Sequence, residues 1–111
     1  MAITHTNTKN PASVVQIIQG RYLDDAANPA AASLTSGFIP RKVRWVNDTD
    51  RVEHEWVEGR AAGTTVKTAA NGTRTLDTND AAISVDSTTG VVTIAAAVIL
   101  QNKQYSYELQ Q

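Results

Sequence analysis

Hydrophobic and polar residues alternate with a period of two along much of this chain, most clearly between Arg41 and Val57. Two alternating runs in this stretch flank the polar segment Asn47-Asp-Thr-Asp50. This pattern is typical of two half-buried strands joined by a tight turn. The sequence therefore predicts a β-hairpin that contains both tryptophans of the chain.

The charges along this hairpin predict a register. With Asp48 and Thr49 as a two-residue loop, Arg44 lies opposite Glu53, and the next pair outward on that face joins two further opposite charges, Lys42 and Glu55. Each such pair contributes about 0.2–1 kcal/mol, which favours the register without dominating stability. The other face then carries Val43, Trp45, Val52, His54 and Trp56.

Two more hairpins follow. Asn71-Gly72 separates the segments 64–70 and 73–78, and this dipeptide favours a type I′ turn, which needs positive φ at both central residues. Ile83 and Val85 alternate before a turn that ends in Gly90, and Val92 and Ile94 alternate after it. Successive hairpins predict antiparallel sheets.

The remaining segments also fit an all-β fold. We interpret Val14–Tyr22 as a strand, although its spacing also fits a short helix, and we expect strands at Leu34–Ile39 and Tyr105–Leu109. Ala95–Gln101 breaks the alternation and is either a helical turn or a buried crossover. Eight or nine strands at about ten-residue spacing predict an antiparallel β-sandwich or a jelly-roll-like barrel.

Length and local composition predict the domain organisation. The 111 residues suffice for one core. Residues 1–12 are rich in Thr and Asn, contain Pro11 and lack any period, so we expect an extended N-terminal arm that becomes ordered on a neighbouring molecule. Residues 13–111 then form a single β-domain.

Composition argues against several classes of partner. A net charge of −1 without a basic cluster predicts no nucleic-acid binding. The first residues lack the pattern of a signal peptide, and the apolar run Val91–Leu100 is about half the ~20 residues that a spanning helix needs. We therefore expect a soluble protein made without export, with no membrane partner.

The sequence contains few residues of the types that catalysis or metal binding requires. His5 and His54 are its only histidines and there is no cysteine, so no standard zinc motif can be built. We interpret His54 as a packing or hydrogen-bonding residue. Asp48-Thr-Asp50 and Asp77-Thr-Asn-Asp80 lack the rest of a calcium loop, and turn capping explains them. We therefore expect no catalytic residue, no metal site and no cofactor.

Two features keep other functions open. Glu53 and Glu55 lie about 7 Å apart along one strand face, as in an inverting glycosidase, but basic partners would lower both pKa values where one must be raised. Trp45 and Trp56 are interpreted as paired core aromatics, with an interface or a sugar-stacking platform as the alternative.

Three segments carry a resemblance to a known class of proteins. They are Gly37-Phe-Ile-Pro-Arg-Lys-Val-Arg-Trp-Val-Asn-Asp-Thr-Asp-Arg51, Glu55-Trp-Val-Glu-Gly59 and Ala97-Val-Ile-Leu-Gln-Asn-Lys-Gln-Tyr105. Across about residues 37–107 the chain resembles small tailed-bacteriophage virion proteins of the head decoration or cement type. The resemblance implies a homodimer or homotrimer on the capsid exterior that clamps neighbouring major capsid subunits. It implies no catalytic residue, and it implies synthesis in the bacterial cytoplasm.

This reading yields two hypotheses about contacts. The arm would bind the capsid through Ile3, His5, Lys9 and Pro11, and the homo-oligomer would form through Val98, Leu100, Tyr105 and Tyr107. The two tyrosines are amphipathic and could serve the core instead of a subunit contact. The main alternative is a carbohydrate- or receptor-binding module of a phage fibre or tail that uses an exposed tryptophan. A small hydrolase built on Glu53 and Glu55 is the third class.

Overall fold

A computed structural model describes residues 3–9, 16–61 and 63–111. Ten strands and one short 3-10 helix make up the regular structure of these residues. The strands are β1 (Ile3–Lys9), β2 (Ile17–Asp24), β3 (Ala32–Leu34), β4 (Lys42–Asn47), β5 (Val52–Val57), β6 (Thr65–Thr68), β7 (Arg74–Asp77), β8 (Ile83–Val85), β9 (Val92–Ile94) and β10 (Tyr105–Gln110), and the helix is Ala96–Val98. No helix in this part of the chain is long and apolar enough to cross a membrane.

The strands form two antiparallel sheets that enclose one core. The larger sheet has seven strands in the order β1-β2-β10-β4-β5-β6-β7, and the smaller has three in the order β3-β9-β8. Burial alternates along β4 and β10, so each presents one face to the core. The all-β prediction is therefore confirmed, and the arrangement is that of a sandwich.

Aromatic packing dominates the core of the larger sheet. The indole of Trp45 stacks on Tyr105 with ring centroids 4.9 Å apart and on Tyr107 at 6.1 Å, and Tyr22 lies tilted beside it at 5.7 Å. Such pairs contribute about 0.5–1.5 kcal/mol each beyond the area they bury. The smaller sheet covers this layer with Leu34, Ile83, Val92 and Ile94, all at most 2% exposed.

The central hairpin has a different register from the predicted one. Trp45 pairs with His54 and Arg44 with Glu55, because the loop has four residues rather than two. Arg51 closes the loop with φ of 62°, and its amide donates to the Asn47 carbonyl at 2.7 Å. A shift of two residues leaves every side chain on its predicted face, so the faces were right and the register was wrong.

The predicted ion pairs form even so. Arg44 Nε lies 2.8 Å from Glu53 Oε1, and Lys42 Nζ lies 4.0 Å from Glu55 Oε2. In the observed register these partners are diagonal neighbours across the two strands rather than directly opposite residues. Long side chains span a diagonal, which is why charge pairing alone did not fix the register.

The other hairpins lie where the sequence predicts them, on either side of Asn71-Gly72 and before and after Gly90. In the first turn only Gly72 has positive φ, so the turn is not type I′. The strand expected at Leu34–Ile39 instead ends at Leu34, because Gly37 has φ of 84° and the Ser36 hydroxyl donates to the Phe38 carbonyl.

The open question about Ala95–Gln101 is decided in favour of a helical turn. The 3-10 helix Ala96–Val98 follows β9 directly, and the amides of Val98 and Ile99 donate to the carbonyls of Ala95 and Ala96 at 3.1 Å each. This turn carries the chain from the smaller sheet towards β10.

The N-terminal segment belongs to the sheet. Residues Ile3–Lys9 are extended as predicted, but they pair with β2 along seven residues, from Ile3 opposite Asp24 to Lys9 opposite Ile18. The backbone groups of β1 that face β2 thus find partners within the chain, so this part of the predicted arm is ordered without another molecule. Pro11 lies outside the described residues.

Candidate functional site

The residues predicted to contact a capsid lie on and beside β1. Ile3, at its first position, is 46% exposed. His5 is also exposed, and one side of it contacts the core: its Nε2 is 2.5 Å from the Tyr107 hydroxyl, and its ring meets that of Tyr22 edge-on at 5.4 Å. Lys9 is the last residue of the strand. Ile3 and His5 are therefore both accessible, and His5 is in addition fixed against two buried tyrosines.

A glycine makes the contact of His5 possible. Tyr107 in β10 lies directly opposite Gly20 in β2, and its ring crosses β2 to reach His5 on β1. A Cβ atom at position 20 would overlap both the end of this ring and the Thr6 carbonyl oxygen. Gly20 is thus required by packing, a role that gave no signal in the sequence.

Two of the four predicted interface residues are unsuited to that role. Tyr105 and Tyr107 are 0% and 3% exposed, because the alternation in β10 directs both rings inward around Trp45. Of the two roles that the sequence leaves open for these rings, the core is the one that their burial in this chain supports. Leu100 is 47% exposed and Val98 is half-buried, and both remain accessible to a partner.

No aromatic side chain of the chain offers a stacking platform. Every Trp, Tyr and Phe is at most 8% exposed, and all six belong to the core. The indole N–H groups donate to backbone carbonyls, from Trp45 to Val98 at 3.4 Å and from Trp56 to Arg60 at 3.3 Å. The core interpretation of both tryptophans is therefore correct, and a sugar-binding face built on them is absent.

The solvent-facing side of the larger sheet carries a polar groove of about 560 Å³. Its polar side chains largely pair with one another. The Gln19 amide donates to Glu108 at 3.2 Å, and the Ser106 hydroxyl donates to Asp48 at 2.5 Å. Arg44, which also lines the groove, is held by Glu53, and this hydrogen bond raises the pKa of Arg44.

The paired carboxylates of β5 do not resemble a glycosidase pair. Glu53 accepts a hydrogen bond from Arg44, and Glu55 lies within ion-pair distance of Lys42. A general acid of that class needs a raised pKa, which apolar burial or a neighbouring carboxylate would provide and which a basic partner opposes. The geometry therefore gives no support to hydrolysis at this face.

A second polar cluster lies on the inner side of the same sheet, at the β5-β6-β7 end. His54 on β5 and Thr65 on β6 are buried, and the His54 Nδ1 is 3.0 Å from the Thr65 hydroxyl. Asp77 lies opposite Thr65 on β7, and Asp80 follows in the connection to β8. Lys67 Nζ lies 3.3 Å from Asp80 Oδ2.

Burial sets the charge of His54. Desolvation lowers its pKa, and Lys67 acts in the same direction, whereas Asp80 and Asp77 oppose the shift. The imidazole is therefore neutral at neutral pH, with one ring nitrogen directed to Thr65 and the other towards the two aspartates. A cavity of about 170 Å³, lined in part by His54, Lys67 and Asp80, adjoins the cluster.

Sequence reasoning missed this cluster. It interpreted His54 as a packing or hydrogen-bonding residue, which its contact with Thr65 supports, and Asp77 and Asp80 as turn residues. These interpretations did not bring the three side chains together. The signal available in the sequence was the hairpin around Gly72, since strand pairing there brings Asp77 back across Thr65. What the sequence did not provide was the pairing of β6 with β5, which brings His54 to the same face.

Comparisons with known proteins identify no relative. No protein-family model matches the chain, and no curated protein or solved structure matches it either.

Proposed function

We propose that this chain is a non-enzymatic structural protein of a tailed-bacteriophage virion. In this proposal it decorates the exterior of the capsid and stabilises it by clamping neighbouring major capsid subunits as a homodimer or homotrimer. The proposal rests on the resemblance of residues 37–107 to head decoration proteins and on one structural observation, the open edge of β1.

The edge of β1 supports a role in binding another chain. β1 ends the order of the larger sheet, and within the described residues no strand pairs with its outer side. A free edge presents backbone N–H and C=O groups that an extended segment of a partner can complete as an added strand. Ile3 adds an exposed apolar side chain at the start of this edge.

Many copies would strengthen a modest contact. A decoration protein meets a repeating surface, so each subunit of an oligomer binds at a high effective concentration once its neighbour is bound. The exposed Leu100 and half-buried Val98 form the surface that we assign to contact between copies. A weak interaction at each β1 edge is then sufficient for stable decoration.

The test uses capsids of the encoding phage prepared without this protein. Co-sedimentation measures whether purified protein binds them saturably. Ile3→Lys places a charge at the β1 edge without disturbing the core, and Leu76→Lys is its matched control on β7, the opposite edge, where Leu76 is 67% exposed. We expect Ile3→Lys to weaken binding at least about tenfold, equivalent to about 1.4 kcal/mol, and Leu76→Lys to leave it unchanged.

The other outcomes are equally informative. If the wild-type protein does not co-sediment with the capsids, the proposed decoration function is wrong. If it binds and only Leu76→Lys interferes, β7 is the contact edge and the assignment to β1 is wrong. If neither substitution matters, capsid contact uses a surface other than the two edges.

A further inference from the structure

One cluster combines a histidine nitrogen with two carboxylates from separate elements. Donor atoms of His54, Asp77 and Asp80 all lie within 4.8 Å of one another. We propose that these three side chains bind a divalent transition-metal ion of the Zn²⁺ type. This proposal is independent of the capsid role.

The histidine is oriented for such a role. His54 is 3% exposed, and Thr65, which is fully buried, holds its Nδ1 at 3.0 Å. Its Nε2 therefore faces the carboxylates, 3.8 Å from Asp80 Oδ2, too far for a hydrogen bond. Metal-binding histidines are commonly fixed in this way by a hydrogen bond at the other ring nitrogen.

The carboxylates are held by β7 and the loop that follows it. Asp77 is at the end of β7 and lies opposite Thr65. The Asp80 amide donates to Asp77 Oδ2 at 3.4 Å, which brings the second carboxylate back over the first. Both side chains are partly exposed, so they can adjust while the buried imidazole stays in place.

The separation of the donors is compatible with binding after a small contraction. For three atoms within 4.8 Å of one another, a central ion is at most about 2.8 Å from each, whereas Zn²⁺ needs about 2.0–2.2 Å. Each donor therefore needs to approach by at most about 0.7 Å, which is a side-chain adjustment. The adjoining cavity of about 170 Å³ leaves room for water in the open coordination positions.

The donor set and the neighbouring charge define the class of ion. One imidazole with two carboxylates suits Zn²⁺, Co²⁺ or Ni²⁺, whereas Ca²⁺ and Mg²⁺ prefer sites made of oxygen alone. Lys67, 3.3 Å from Asp80, is the present counter-ion and competes with a metal ion. Removing that cation should therefore strengthen binding, a result that a purely structural salt bridge would not produce.

The experiment is titration calorimetry of tag-free protein with ZnCl₂, repeated with CoCl₂ so that the visible spectrum reports coordination. We expect one ion per chain and a higher thermal midpoint with Zn²⁺. Asp77→Asn and His54→Gln should each weaken binding about 100-fold, and Thr65→Val about tenfold. Lys67→Met should tighten binding, and His5→Gln, at the other histidine, should leave it unchanged.

Several results would overturn the proposal. Absence of Zn²⁺ binding at millimolar concentration would do so, as would binding that Asp77→Asn leaves intact or that His5→Gln abolishes. Because His54 is buried, circular dichroism must show that His54→Gln is folded. If it is not, Asp77→Asn and Lys67→Met decide the question through their opposite expected effects on affinity.

Discussion

At the scale of single residues, one position without a side chain organises the start of the larger sheet. Gly20 lies opposite Tyr107, and the phenol ring crosses β2 over it to meet His5. The aromatic layer around Trp45 thereby extends to β1.

Gly20→Ala tests this packing. The new methyl group meets the Tyr107 ring and the Thr6 carbonyl, so we expect destabilisation of about 1–3 kcal/mol, as for other overpacked sites. Urea unfolding followed by circular dichroism measures the change. Gln19→Ala, on the solvent-facing side of the same strand, should stay within about 0.5 kcal/mol. Unchanged or increased stability of Gly20→Ala would contradict the described packing.

Two buried tyrosines predict instability in alkali. Burial raises the pKa of Tyr22, with Asp24 acting in the same direction, and burial also raises the pKa of Tyr105 despite the Leu100 amide that donates to its hydroxyl. In the unfolded chain both groups lose their protons near pH 10. The stability associated with the neutral phenols is therefore complete below about pH 10 and is lost as the pH rises through the folded pKa.

An alkaline titration tests whether the two buried tyrosines ionise later in the native protein than in the denatured protein. Phenolate absorbance of the native protein should lag behind that of the denatured protein, and part of it should appear together with the loss of native circular dichroism. Titration of all three tyrosines near pH 10 in a protein that remains folded would show that Tyr22 and Tyr105 are not buried as described.

Among the elements, strand β1 has two roles, one in binding a partner and one in stabilising the larger sheet. It provides the free edge that we assign to capsid contact, and it also covers β2 along seven residue pairs. Removing it therefore does more than remove a binding segment, because it uncovers the backbone of β2 and leaves the Tyr107 hydroxyl without His5.

Deletion of residues 1–9 should destabilise the protein by more than about 2 kcal/mol, since several backbone hydrogen bonds of about 0.5–1.5 kcal/mol each are lost. We also expect aggregation through the newly exposed edge of β2. Urea unfolding and light scattering measure the two effects, with Ile3→Lys as the control that retains the strand. A truncated chain as stable and as soluble as the full one would show that β1 is dispensable for the fold.

At the scale of the whole molecule, the sandwich is unequal, with seven strands facing three. Among the described residues no further strand pairs with the outer side of β1 or β7, and the solvent-facing side of the larger sheet carries the groove lined in part by Gln19, Arg44 and Glu108. In the described part of the chain, Ile39 and Leu100 are the exposed large apolar side chains outside these two strands, and Leu100 belongs to the predicted oligomer surface.

Leu100→Lys tests the assigned subunit contact. Size-exclusion chromatography with light scattering should give a dimer or trimer for the wild-type protein and a shift towards monomer for the variant, because a charge replaces an exposed apolar contact. Leu76→Lys is again the matched control and should keep the wild-type mass. A monomeric wild-type protein would refute the homo-oligomer.

The local features of this protein can be predicted from its amino-acid sequence alone. Period-two alternation and turn residues predicted the three hairpins, the last strand and the inward face of β4 and β5, because these depend on neighbours along the chain. The same pattern predicted that Trp45 and Trp56 belong to the core. It also predicted the charge pairs that include Arg44 and Glu53.

The hairpin register, the burial of the tyrosines and the strand order depend on contacts between distant segments, so they follow only from the folded structure. Only the closure of the loop at Arg51 set the hairpin register, and only the placement of β10 between β2 and β4 turned Tyr105 and Tyr107 into core residues. The pairing of β5 with β6 brought His54 to Asp77 and Asp80. Strand order follows from which edges find partners and which rings fill the shared core, and a local pattern does not contain that information.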